Sequence, residues 1–161
     1  AEVASMESFD ADPHTAPDVA AAATRIAESL GPAFALQGVR LVLEGAQDSV
    51  RVVGREDRLD RVLANLLENA LRHTPRGSSV RLGLERADAT VKVTIDDEGP
   101  GVPPELDGQL FEKFGQGAQG GVAGLGLYFC RFTIQQWGGS IGHERAPGGG
   151  ARFWFELPRP R

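Results

Sequence analysis

The chain has 161 residues, of which 41% are hydrophobic and 24% are charged, a composition that suits one globular domain. Its net charge of −5 and isoelectric point near 5.2 argue against general nucleic-acid binding, which favours basic surfaces. No apolar run approaches the roughly 20 residues that span a bilayer, and no secretory signal opens the chain. Because the single cysteine, Cys130, cannot form an internal disulfide, we expect a reducing, cytoplasmic compartment.

The first elements in chain order are a linker, a helix and two short strands. Residues 1–17 have no apolar periodicity and contain two prolines, so we interpret them as a linker or as the remnant of an upstream segment. Asp18 is suited to cap a helix that ends near Gly31. Strands are predicted over 39–43 and 50–53.

A second helix has the clearest periodic pattern. Its apolar residues recur three and four positions apart, as on a helix with one buried face. They are Leu59, Val62, Leu63, Leu66, Leu67, Ala70 and Leu71. Strands are predicted over 80–86 and 90–96, a third helix over about 125–137, and closing strands over 140–144 and 151–157. This order predicts an α+β fold, a two-layer α/β sandwich whose mixed sheet is covered on one face by about three helices.

Three polar residues share another face of the second helix. Asn65, Asn69 and Arg72 are four and three positions apart, which places them on one side, turned away from the leucines. An Asn carbonyl is a neutral oxygen ligand suited to Mg²⁺, and an Arg guanidinium binds phosphates with a planar fork. The alternative is an ordinary solvated helix face.

The segment 97–101, Asp-Glu-Gly-Pro-Gly, directly follows the predicted strand 90–96. Asp97 at the strand end is placed to accept a hydrogen bond from an amino group such as that of adenine. Gly99 and Gly101 let the backbone approach a flat ligand closely, because they have no Cβ atom. The alternative is an ordinary turn rich in Asp, Gly and Pro.

Two further candidate elements lie in the glycine-rich part of the chain. The segment 111–114, Phe-Glu-Lys-Phe, precedes the glycine-rich stretch 115–122, as the anchored end of a hinged lid would, and Lys113 is placed to reach a phosphate. The segment 124–127, Gly-Leu-Gly-Leu, opens the third helix, where free N–H groups and the helix dipole bind anions. The alternative for the first segment is a surface loop with a hydrophobic anchor, and the alternative for the second is that its glycines only allow tight helix packing.

In this order the motifs resemble the ATP-binding catalytic domain of sensor histidine kinases, which shares the Bergerat-type fold of gyrase, Hsp90 and MutL. The resemblance covers about 18–158, so we assign the domain to 18–161 and residues 1–17 to a linker or to the remnant of an upstream helical hairpin. The nucleotide-binding residues that it implies are Asn65, Asn69, Arg72, His73, Asp97, Gly99, Gly101, Phe114, Gly124, Leu125, Gly126 and Leu127. It implies Asn69 as the Mg²⁺ ligand, with catalytic roles for Asn69, Arg72 and Lys113.

The resemblance also implies partners. The domain is expected to bind ATP and ADP with Mg²⁺, to act on a separate dimerisation and phosphoacceptor domain of its own parent protein, and to serve a response regulator. The isolated domain is expected to be monomeric and to bind no nucleic acid, and its parent can be membrane-anchored. The family's phosphoacceptor histidine lies in an H-E/D-x-x-x-P-like context that His14, His73 and His143 all lack. We therefore expect the chain alone not to phosphorylate itself.

Two positions depart from the family's pattern, and a third, Asn65, separates this family from its relatives. Val122 stands where the family usually has Gly, and Ala151 where a Thr is frequent. Asn65 stands where the ATPases and protein serine kinases of this fold have a Glu general base, and Asn cannot take a proton. Two alternatives stay open: an ATPase or protein serine kinase of the same fold, and a nucleotide-binding regulatory module without turnover.

Overall fold

The computed structural model describes residues 16–45, 48–106, 108–112 and 121–161, with the backbone alone for 121–125. The elements in these ranges are α1 (Val19–Leu36), β1 (Arg40–Glu44), α2 (Glu56–His73), β2 (Ser79–Arg86), β3 (Thr90–Asp96), a 3₁₀ turn (Pro104–Leu106), α3 (Gly121–Gln136), β4 (Ser140–Arg145) and β5 (Ala151–Pro158). None of the helices in these ranges combines the length and the hydropathy that a membrane crossing requires.

The five strands form one mixed sheet in the order β1-β2-β3-β5-β4. β1 and β2 pair in parallel, and the other neighbouring strands are antiparallel. Alternate residues are buried, as Val91, Val93 and Ile95 show on β3. The helices pack on that face, and charged residues such as Arg81 and Arg152 lie on the other. The predicted two-layer α+β sandwich is therefore confirmed.

Helix α2 occupies the centre of the hydrophobic core. All the apolar residues of its predicted stripe are buried, and Leu71, the most exposed of them, is only 6% exposed. Burial of each such side chain contributes about 2 kcal/mol. Glu56 and Asp57 in the first turn, and Arg72 in the last, match the helix dipole. The core thus fixes one side of the helix that also carries the predicted polar residues.

Helix α1 extends further than its sequence indicates. The expected end near Gly31 is wrong, because the helix continues through Pro32 to Leu36. Proline removes one backbone donor, but Phe34 beyond it is 1% exposed and anchors the last turn in the core. The predicted cap at Asp18 is confirmed, since its Oδ1 atom accepts hydrogen bonds from two N–H groups of the first turn.

The segment 50–53 forms no strand of the sheet, contrary to the prediction. Val50 and Val52 are buried, which accounts for the apolar alternation. Their backbone groups instead bond to Val19 and Pro17 at the start of α1. The alternation therefore marks burial beside a helix and not a place in the sheet.

Candidate functional site

The Asp97 carboxylate lies directly after β3 and is 4% exposed. Its Oδ1 atom accepts hydrogen bonds from the N–H groups of Gly99 at 2.9 Å and Ala151 at 3.0 Å. The Asp97 N–H group in turn donates to the Ala151 carbonyl oxygen at 2.9 Å. These bonds fix the carboxylate between the loop after β3 and the start of β5.

The second oxygen of this carboxylate, Oδ2, differs from Oδ1 in its hydrogen bonding. Within the described ranges, the hydrogen bonds to the Asp97 side chain all end on Oδ1. An ionised carboxylate accepts through both oxygens. Oδ2 is therefore the atom left to accept a hydrogen bond from a ligand, such as an exocyclic amino group.

Glycines allow the backbone to pack tightly around Asp97. A Cβ atom on Gly150 would overlap the Asp97 carbonyl oxygen and lie 2.7 Å from Oδ1. A Cβ atom on Gly99 would overlap the carbonyl oxygen of His73 at the end of α2. Gly101 has a φ of 85°, in the left-handed region that favours glycine. Backbone geometry therefore requires both predicted glycines of the loop, and Gly150 besides.

Asn69 and Arg72 meet on the last turns of α2. Asn69 is 2% exposed, and its Oδ1 atom accepts a hydrogen bond of 3.1 Å from Nη2 of Arg72, whose side chain is exposed. The expectation that this face is turned away from the core is wrong for Asn69, which is buried beside the leucine stripe. A buried amide oxygen beside an exposed guanidinium can receive a cation together with a phosphate.

This donor set fits a Mg²⁺ ion that arrives with phosphates. Among the described residues, no three His, Cys, Asp or Glu side chains are grouped so as to hold a metal ion. Asn69 supplies one neutral oxygen, and Mg²⁺ usually takes one or two protein ligands and completes its shell with water and phosphate. The site therefore suits a nucleotide-bound metal better than a metal held by protein alone.

Asn65 joins α2 to α3. Its Nδ2 atom donates to the Gly126 carbonyl oxygen at 3.4 Å, and a Cβ atom on Gly126 would make only an ordinary contact with the Asn65 amide. Leu127, the next residue, is 1% exposed and belongs to the hydrophobic core. Two predicted motifs that are distant in sequence therefore meet here.

For the remaining predicted site residues, the structure describes either the backbone alone or nothing. Lys113 and Phe114 fall outside the described ranges. Gly124 and Leu125 lie in the first turns of α3, which begins at Gly121 and not near residue 125. The nucleotide contacts assigned to these four residues stay predictions.

His73 ends α2 beside the site. Burial of part of the ring lowers its pKa most, and the charge of Arg72 lowers it further, whereas Asp97 acts in the opposite direction. The lowered pKa favours the neutral form of the ring at pH 7. A neutral imidazole can stack on a base or bond to a sugar, but it cannot bind a phosphate as a cation.

Contacts of the two acidic neighbours of Asp97 were missed by sequence reasoning. Asp96 forms a bidentate ion pair with Arg152 of β5 at 2.6 and 2.8 Å. Glu98 accepts a hydrogen bond of 2.8 Å from the Ser79 N–H group. Three consecutive acidic residues were the available sign, because such a run requires partners to offset its own repulsion.

Comparison with known proteins gives a consistent family. Histidine kinase-, DNA gyrase B- and HSP90-like ATPases match residues 54–161. The alginate biosynthesis sensor protein KinB of Pseudomonas aeruginosa is 41% identical over 121 residues, which make up 74% of this chain and 20% of that protein. The chain thus spans about a fifth of the length of this relative.

Solved histidine kinase structures superpose on the fold. The catalytic domain of ThkA has a TM-score of 0.80 at 26% identity, over 91% of this chain and 95% of that one, and ThkA is also solved with the response regulator TrrA. Full-length ShkA, solved with AMPPNP, has a TM-score of 0.77 at 29% identity, over 91% of this chain and 31% of that one. The chain belongs to the histidine kinase-, DNA gyrase B- and HSP90-like ATPase family, as a catalytic ATP-binding domain of the sensor histidine kinase type.

Proposed function

We propose that this domain, over residues 18–161, binds Mg-ATP and, in the intact protein, donates the γ-phosphoryl group to a histidine on a separate dimerisation domain. The observation that carries the proposal is the Asp97 carboxylate, with one oxygen held by two backbone N–H groups and the other open to an adenine amino group. Gly99 and Gly150 let the backbone close around this carboxylate, since a Cβ atom on either would overlap a carbonyl oxygen.

On the phosphate side, two side chains exchange partners when the nucleotide enters. Arg72 Nη2 lies 3.1 Å from the Asn69 oxygen. Asn69 would hold the metal of a bound Mg-nucleotide through its amide oxygen, and Arg72 would bind a phosphate through its guanidinium. Bound Mg²⁺ neutralises phosphate charge, on which phosphoryl transfer chiefly depends. Lys113 adds a positive charge, and the α3 N-terminal turns, through Gly124, add N–H donors.

Asn65 supports a histidine acceptor over water or a serine hydroxyl. Its amide cannot take a proton, and its Nδ2 atom already donates to the Gly126 carbonyl oxygen. A neutral imidazole attacks with its own lone pair and needs less help. An ATPase or serine kinase of this fold is therefore the weaker candidate, and steady ATP hydrolysis by the domain alone would favour it.

The partners follow from the relatives. ThkA is solved with a response regulator and ShkA with an ATP analogue, which supports a response regulator and ATP as partners here. We assign the domain to the cytoplasm, where ATP is available, and expect it to be monomeric in isolation. We infer that residues 1–17 are a linker to, or the remnant of, an upstream helical hairpin that carries the phosphoacceptor histidine.

Calorimetry with ADP, in the presence and absence of Mg²⁺, tests nucleotide binding directly. We expect ADP and ATP analogues to bind in a Mg²⁺-sensitive way, and GDP to bind more weakly because its six-membered ring carries an oxygen in place of the amino group. Absence of heat on addition of any adenine nucleotide would contradict the proposal.

Radiolabelled ATP tests the transfer. The chain alone, incubated with γ-labelled ATP, should acquire no acid-labile label. Addition of the separately expressed phosphoacceptor hairpin should give weak labelling of that second chain, because separation removes the high effective concentration of a linked domain. Label on His14, His73 or His143 of this chain alone would contradict the assignment of the acceptor.

A further inference from the structure

We propose that an ion pair on the open face of the sheet acts as a positioning device for the base site on the other side. The pair joins Asp96, the last residue of β3, to Arg152 of β5. It is proposed to set both the affinity for the nucleotide and the preference for adenine, by holding Asp97 in place. This inference rests on the proposed function, since it concerns the same binding site.

The geometry of the pair is that of a strong, directional contact. Arg152 Nε and Nη2 donate to Asp96 Oδ1 and Oδ2 at 2.6 and 2.8 Å. The two side chains are 23% and 18% exposed, so water screens them only in part. Arg152 Nη1 also lies 3.8 Å from Glu144 Oε2 on β4. Bidentate Arg–carboxylate pairs fix orientation as well as distance, so this contact can hold three neighbouring strands in register.

The pair occupies the last row of the pairing between β3 and β5, where Asp96 and Arg152 are direct cross-strand partners. Asp97 follows the first of them and Ala151 precedes the second. These two residues exchange the bonds that fix the carboxylate: Asp97 N–H to the Ala151 oxygen at 2.9 Å, and Ala151 N–H to Asp97 Oδ1 at 3.0 Å. Separation of the strands at this row would therefore displace both partners of those bonds.

The pair also controls charge at the site. Asp96, Asp97 and Glu98 are consecutive. Asp96 is neutralised by Arg152, and Glu98 accepts the Ser79 N–H group at 2.8 Å. Loss of the Arg152 charge would remove the bidentate partner of Asp96 and increase the negative charge beside Asp97.

Arg152 acts through Asp97 and does not contact the base. Side chains alternate between the two faces of a strand, so Asp96 and Arg152 lie on the open face, opposite the face against which the helices pack. Glu156 lies on the same strand and face, at the far end, where its Oε2 atom accepts a hydrogen bond of 3.1 Å from Thr90 Oγ1. It provides a matched control, because it shares the surface without adjoining Asp97.

Calorimetry with ADP and with IDP, which differ at the amino group that Asp97 is proposed to read, tests the inference. We expect Arg152→Met to weaken ADP binding about tenfold and IDP binding less, so that the ADP-to-IDP ratio falls. Asp96→Asn, which removes the carboxylate of the pair, should show the same two changes. Glu156→Gln should change neither. Circular dichroism at the temperature of the titration ensures that each variant is folded.

The outcomes separate this inference from the function on which it rests. Unchanged ADP affinity and an unchanged ADP-to-IDP ratio in folded Arg152→Met would overturn the positioning role and leave the proposed function standing. Unchanged ADP affinity and an unchanged ADP-to-IDP ratio in folded Asp96→Asn would overturn the ion pair as the basis of that role. Absence of ADP binding by the wild-type chain would overturn the proposed function and this inference with it.

Discussion

The proposed base end and the proposed phosphate end of the site, called the base end and the phosphate end below, are built in different ways. At the base end, the Asp97 carboxylate is 4% exposed and accepts hydrogen bonds from two backbone N–H groups. At the phosphate end, the one hydrogen bond to the Asn69 side chain within the described residues comes from Arg72, an exposed side chain.

The difference teaches which part of the site is formed before the ligand arrives. A backbone donor can leave only if a strand or loop moves, whereas an exposed side chain leaves by changing its rotamer. The base end is therefore preorganised, and the phosphate end is free to respond to the metal and to the phosphates. Substitutions at the base end should damage the fold and binding together. Substitutions at the phosphate end should change the metal dependence with little effect on the fold.

The largest effect is expected from Gly150→Ala, because the new Cβ atom would overlap the Asp97 carbonyl oxygen. We expect the free energy of unfolding in urea to fall by about 3 kcal/mol, with loss of ADP binding. Gly148→Ala is the matched control, since a Cβ atom there meets no described atom within 4 Å. It should change the free energy of unfolding by less than about 0.5 kcal/mol. Equal effects of the two substitutions would contradict the close packing at the base end.

Asp97→Asn should weaken ADP binding by about 2 kcal/mol while changing stability less. Asparagine keeps an oxygen to accept the N–H groups of Gly99 and Ala151, and it replaces the ligand-facing oxygen with an NH₂ donor. That donor would oppose the adenine amino group. Equal affinity of the wild type and the variant for ADP, measured by calorimetry, would refute the role of Asp97 in base recognition.

Asn69→Ala should remove the Mg²⁺ enhancement of ATP binding, a loss of about 1 kcal/mol, and should affect metal-free ADP binding less. The reason is that alanine lacks the oxygen that we assign to the metal, whereas Arg72 remains available to phosphate. Titrations with and without Mg²⁺ measure the difference. If the variant retains the whole Mg²⁺ enhancement, Asn69 is not the metal ligand, and Asn65 is the next candidate.

The smallest effect is a pH dependence from His73. Its pKa in the folded chain is lowered from 6.5 by burial and by Arg72, so the unfolded chain binds more protons just below pH 6.5. The His73 contribution to the free energy of unfolding therefore rises with pH through this window and falls on acidification. Urea denaturation between pH 5 and 7 should show a smaller loss in His73→Gln than in the wild type. If the free energy of unfolding changes with pH in the same way in both proteins, the lowered pKa of His73 makes no contribution to stability, and the prediction is wrong.

The helix and strand that form the base end could be predicted well from the sequence. The stripe of α2 and the alternation of β3 record burial on one side of an element, a property that each segment shows by itself. Strand β3 has the bounds that its alternation indicates, 90–96. The end of helix α1 was harder to predict. The helix continues past Pro32 because Phe34 is anchored in the core, and this contact is a tertiary effect.

The contacts that fix the site could not be predicted in the same way. The bond from Ala151 to Asp97 joins residues that are 54 positions apart, and the pair of Asp96 and Arg152 spans 56. Both depend on β5 lying next to β3, a choice of neighbour that no local pattern records. The burial of Asn69 likewise depends on how deeply α2 sits in the core, which an Asn in a polar stripe does not indicate.

The two oxygens of Asp97 have different roles: Oδ1 accepts two backbone N–H groups, and Oδ2 is the oxygen proposed to face the ligand. This division limits which substitutions can change the nucleotide preference of the domain. One oxygen holds Gly99 and Ala151 together, so most replacements would open the junction before any new base was recognised. Asparagine is the exception among replacements of similar size, because it preserves that oxygen and inverts the other position from acceptor to donor. With Asp97 in the proposed role, Asn at this position would favour a 6-oxo purine and keep the junction with Gly99 and Ala151, whereas an apolar residue would lose the junction.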